Sequence, residues 1–133
     1  MWLHSVDGAE GLRAIFKDVE PSLAAIRLHE VTLHQDGPTV VLRFDLAELP
    51  PAPPSKWQKA GLNTVQLKLS LEGVREVTLS GWSKNNVGPL EISDGDPEGL
   101  ILEFTGEESK VRVACDIARV DRVSAYYDSA KAR

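Results

Sequence analysis

Thr64-Val65-Gln66-Leu67-Lys68-Leu69-Ser70-Leu71-Glu72 decides how the rest of the chain is read. Val65, Leu67, Leu69 and Leu71 share one phase of the run, and polar side chains fill the other. Successive side chains of a strand point to opposite faces, so this alternation is the mark of a strand with one buried and one wet face.

Working back from it, Val40, Leu42, Phe44 and Leu46 alternate with Val41, Arg43, Asp45 and Ala47 in a second half-buried strand. Further upstream, Ile26 and Leu28 share one phase while Val31 and Leu33 share the other. A phase slip moves every later side chain across the sheet, so a bulge is expected near His29-Glu30. Asp36-Gly37 between these strands is a tight-turn signal. Pro50-Pro51-Ala52-Pro53-Pro54 cannot donate ladder hydrogen bonds and reads as a stiff extended loop that carries Trp57 along a sheet edge. Before the strands, Leu12, Ile15 and Phe16 recur at helical spacing. Asp7 followed by Glu10 suggests a capping box, and Pro21 closes the element, which places a helix at about 7–19.

Working forward, Glu72-Gly73 turns the chain into Val77-Thr78-Leu79 and on to Gly81-Trp82. After the polar loop Ser83-Lys84-Asn85-Asn86, apolar alternation returns at Leu90 and Ile92, at Leu100, Leu102 and Phe104, and at Val111, Val113, Cys115 and Ile117. The last strand runs from Val120 to Tyr127 with a slip near Asp121, and residues 128–133 form a polar tail expected to fray. The expectation is a mainly β (α+β) domain spanning 1–133. Its N-terminal helix packs on an antiparallel meander sheet, sandwich or open barrel of about eight strands within residues 23–127. A doubly wound α/β fold is disfavoured because no helix follows any strand in this reading.

With 133 residues, 42% hydrophobic and 26% charged, the chain suits one globular domain. Its net charge of −5 repels phosphate backbones and argues against a nucleic-acid partner. The N-terminal residues lack a signal-peptide pattern, and no apolar run is long enough for a membrane helix. The single cysteine, Cys115, excludes an intrachain disulfide and lies on an apolar phase, as a buried thiol would. A cytoplasmic protein without a membrane partner is expected.

No recognised catalytic or cofactor motif is present, so no catalytic residue, cofactor or metal is assigned. His4, His29 and His34 do not have metal-pair spacing with Cys115. Asp94-x-Asp96-x-Glu98 resembles the start of a calcium loop, but Thr105 stands where a bidentate glutamate is needed. Charge patterning says more. Between Lys84 and Lys110 no basic residue occurs, while Glu91, Asp94, Asp96, Glu98, Glu103, Glu107 and Glu108 all do. Such a segment attracts a basic partner, although acidic turns also solubilise a sheet edge. Trp57, Trp82 and Tyr126 add candidate aromatic anchors for a partner. Two other readings stay open: an apolar small-molecule site around Trp57, Trp82 and Phe104, and an enzyme built on His29 or His34 with carboxylates.

Several stretches together resemble the Immunity protein 50 family of bacterial polymorphic-toxin immunity proteins. They are Trp2, the helix ending at Phe16, Pro21-Ser22-Leu23, Arg27 to Val31 and Val41 to Leu46. Pro50 to Trp57, Asn63 to Leu67, Gly73 to Val77, Gly81-Trp82 and Ala125-Tyr126 complete the set, which covers nearly the whole chain. The proline-rich stretch running into Lys56-Trp57 is its most specific part. The resemblance implies a cytosolic antitoxin that binds and neutralises a cognate secreted toxin. It supplies no interface residues and leaves the toxin's activity and the oligomeric state open.

Overall fold

In the computed structural model, which describes residues 2–131, alternation becomes a two-sheet packing. The strands are β1 (Ile26–His34), β2 (Thr39–Asp45), β3 (Thr64–Glu72), β4 (Glu76–Ser80), β5 (Val87–Gly88), β6 (Leu90–Asp94), β7 (Leu100–Thr105), β8 (Lys110–Cys115) and β9 (Ile117–Tyr126). One sheet has the order β5-β1-β2-β3-β9 and the other β4-β8-β7-β6, with every strand-to-strand ladder antiparallel. The sheets face each other without closing into a barrel. All eight expected strands are there, and the ninth is the two-residue β5, too short to carry a period. The core lies between the sheets, where Leu42 and Phe44 of β2 and Leu67 and Leu69 of β3 meet Leu102 and Phe104 of β7 and Val113 of β8. Cys115 is buried among them. Burial pushes its thiol up to about 11, so it is a poor nucleophile at neutral pH.

Both phase slips are bulges. The β1–β2 register shifts between Leu28 and Glu30, and the β3–β9 register shifts so that Asp121 is the extra residue between Val120 and Arg122. Each bulge returns the following apolar side chains to the inner face.

The ends of the helix differ from the expectation of 7–19. Helix α1 spans only Glu10–Ile15, its N-cap is Ala9, and no side chain caps it. Asp7 instead joins β9 through a bridge to Arg119, its N–H donating to Ala118 at 2.8 Å. Gly8 explains the break. Its φ of +72° is left-handed, and a Cβ there would lie 3.1 Å from the Val120 carbonyl oxygen. At the other end Lys17 and Asp18 also take positive φ, which stops the helix before Pro21 acts.

The proline loop is shorter than expected, because helix α2 (Ser55–Lys59) starts immediately after Pro54. A fixed proline φ suits the entry to a helix as well as an extended path. Trp57 rides on α2, half-buried against the core. The tail is pinned at its start: Asn63 Nδ2 donates to the Asp128 carbonyl at 2.9 Å and Asp128 N–H donates to Asn63 Oδ1 at 2.7 Å. Ser129–Lys131 then form a single 3₁₀ turn, and the last part of the expected frayed tail, 132–133, lies outside the described residues. Among the described residues no helix is long and apolar enough to cross a membrane.

Candidate partner-binding surface

The β6–β7 hairpin and its two turns distribute the acidic segment. Leu90, Leu102 and Phe104 point into the core, so Glu91 and Glu103 share the outer face, where the ladder sets them directly opposite each other. Directly opposed like charges destabilise a sheet. Arg112 of β8 is the next residue across from Glu103, but its guanidinium pairs with Glu76 at 3.2 Å. Among the described residues none of the seven carboxylates from Glu91 to Glu108 takes part in an ion pair.

Strand β7 separates the rest. Asp94, Asp96 and Glu98 gather at the β6–β7 turn. Glu107 and Glu108 occupy the β7–β8 turn at the opposite end, about 17 Å away at the usual rise per strand residue. Glu107 and Glu108 meet Trp82 there, and the three line a shallow recess with Ser83, Lys84 and Asn85. Trp82 is 47% exposed, unusual for so large an apolar side chain.

Asn86 fixes this recess. It is a buried polar residue in a loop whose sequence reads only as polar. Its Oδ1 accepts the Ser83 N–H at 3.1 Å and the Ser109 hydroxyl at 2.9 Å, while its Nδ2 donates to the Ser83 carbonyl at 2.9 Å. Its own carbonyl accepts the Leu28 N–H at 2.8 Å. One side chain thus ties the Trp82 loop to the acidic turn, and its backbone ties the loop to β1. Gly81 brings the loop close: its φ is +69°, and a Cβ there would lie 1.9 Å from the Glu108 carbonyl oxygen. An aromatic side chain on a hydrogen-bonded loop, with carboxylates beside it, has the make-up of a protein-binding anchor.

Trp57 and Tyr126 are placed elsewhere. Tyr126 ends β9 on the five-stranded sheet, and its hydroxyl donates to the Asp45 carboxylate. Asp45, only 3% exposed, also lies 2.7 Å from His29 Nε2 and accepts Gln66 Nε2–H at 2.9 Å. These four residues tie together β1, β2, β3 and β9. Burial, then the Asp45 hydrogen bond, pushes the Tyr126 hydroxyl above the ordinary tyrosine range. It stays a hydrogen-bond donor rather than a base, so the hydroxyl acts as a fastening between β9 and β2. Because the shift is upward, the stability it brings is present below about pH 10 and is lost as pH rises through the folded-state value. Tyr126→Phe should therefore flatten the alkaline fall of the melting temperature above about pH 10, read by circular dichroism melts across pH.

Phe104 is in the core, Trp57 at its margin and Trp82 outside, so the three do not gather around one cavity. Among the described residues no group of three or more histidine, cysteine, aspartate or glutamate side chains is placed to hold a metal ion.

A sequence model of the Immunity protein 50 family matches residues 8–126, nearly the whole chain. No curated protein and no solved structure gives a significant match. The chain belongs to the Immunity protein 50 family.

Proposed function

We propose that this immunity protein binds a cognate toxin domain and blocks it by occupying its surface, with no reaction of its own. The family match over residues 8–126 carries this reading. The surface we assign to the toxin is the outer face and turn formed by Trp82, Glu91, Glu103, Glu107 and Glu108. Three features support that choice: the exposed tryptophan, the loop held by Asn86, and carboxylates that make no ion pair among the described residues. Such a surface fits a toxin face rich in lysine and arginine, as an active site that handles an anionic substrate would be. Asp94, Asp96 and Glu98 extend the same field and add attraction at longer range.

The function is tested by co-expression. The chain should restore growth to cells that express the toxin domain encoded beside it, and the two should co-purify. The surface is tested by kinetics. Changing Glu103, Glu107 and Glu108 to lysine should slow association by roughly 10- to 100-fold at low salt and flatten its salt dependence. Association rates that do not change would remove these carboxylates from the interface.

A further inference from the structure

The five-stranded sheet turns its other face outward, and a row of cations crosses the middle of that face. Arg43 of β2 stands directly opposite Lys68 of β3, and Lys68 stands directly opposite Arg122 of β9. Three cations therefore form a row across three neighbouring strands, about 10 Å from end to end at the usual strand spacing. Opposed like charges weaken a sheet, so folding gains nothing from setting Lys68 between two arginines.

The carboxylates of this face already have partners, and one of them, Glu30, is paired with Arg43 of the row itself. Glu30 accepts Arg43 Nε–H at 2.8 Å and the Thr32 hydroxyl at 2.7 Å, and hydrogen bonds from Thr32 and then Arg43 hold its carboxyl below the ordinary value. Asp45 is taken up by His29, Gln66 and Tyr126. Asp121 accepts the Ser70 hydroxyl, and Glu72 pairs with Arg119 at 3.0 Å. Among the described residues Lys68 and Arg122 make no ion pair, and both are exposed. Gln66 and Ser124, the neighbouring pair on the same ladder, line a shallow recess with Glu30, Arg43, Leu67, Lys68 and Arg122; Glu30 is taken up by Arg43, which leaves Lys68 and Arg122 as the unpaired charges of the recess among the described residues.

We propose that this recess is a second docking point, which seats an aspartate or glutamate side chain from an acidic surface of a protein partner. Lys68 and Arg122 supply the charge, and the Ser124 hydroxyl supplies a donor beside them. A carboxylate on a short protein segment can enter the recess locally. A nucleic-acid backbone would have to run on across Glu30, Glu72 and Asp121, against a chain of net charge −5. The site lies on the outer face of the other sheet from Trp82, so one molecule presents an acidic face and a basic point to different surfaces. It does not depend on the toxin reading.

The test uses the intact chain at low salt with two probes, a capped hexaglutamate peptide and a short single-stranded DNA, followed by amide chemical shifts. Hexaglutamate should shift Gln66, Lys68, Arg122 and Ser124 in a saturable way. The Lys68→Gln/Arg122→Gln variant should bind it roughly tenfold more weakly or worse, while melting no lower than wild type because the opposed charges are relieved. Three results would overturn the proposal: no localised shifts on this face, equal peptide binding by the variant, or tighter binding of the DNA than of the peptide.

Discussion

Phe44→Ala should cost about 3–5 kcal/mol of stability and lower the melting temperature by roughly 10–20 °C. Phe44 is fully buried in the middle of β2 and lies between Leu28 of β1 and Leu67 of β3 in the ladder. Removing the ring leaves a cavity at the centre of the larger sheet's inner face. Its neighbours are held by ladders on both sides and cannot collapse into it, which puts the cost toward the upper end. Denaturant melts of the variant check this. A loss below about 1 kcal/mol would mean that the two sheets do not pack through this residue.

Trp82→Ala should weaken toxin binding by about 2–4 kcal/mol, roughly 30- to 1,000-fold in Kd, and leave the fold nearly unchanged. Exposure makes the two effects separable. The ring contributes little to the core, yet it lines one recess together with Glu107, Glu108, Ser83 and Lys84. Asn86→Ala is the companion variant. It removes the bonds to Ser83 and Ser109, so the loop should loosen and binding should weaken although Trp82 itself remains. Calorimetric titration of both variants, with melts as controls, measures the pair. If Trp82→Ala binds like wild type, the anchor is not this residue.

Most of the fold was legible because its strands are half-buried and obey period two. Leu67, Leu69 and Leu71 fell on the inner face as read, and both phase slips became bulges. The helices were less legible for local reasons. Gly8 lies inside the helix expected at about 7–19 but takes a left-handed φ that detaches Asp7 from α1. The prolines announced a break in the sheet but gave no sign that a helix follows Pro54 at once.

The candidate surface was legible in composition and not in arrangement. The acidic segment could be counted, but only the ladder register sets Glu91 against Glu103 and sends Asp96 to the far end from Glu107. Asn86 and Asp45 stand in polar positions like their neighbours, and each matters because of partners distant in sequence: Ser109 for the first, Tyr126 for the second. The same holds for the basic row, whose members come from three strands.

Hydrogen exchange of the chain alone and in complex with its toxin domain tests the central claim most directly. The account predicts new protection at residues 81–88 and 105–109, where the Trp82 loop meets the acidic turn. A stable complex that leaves both segments exchanging as in the free protein would contradict it.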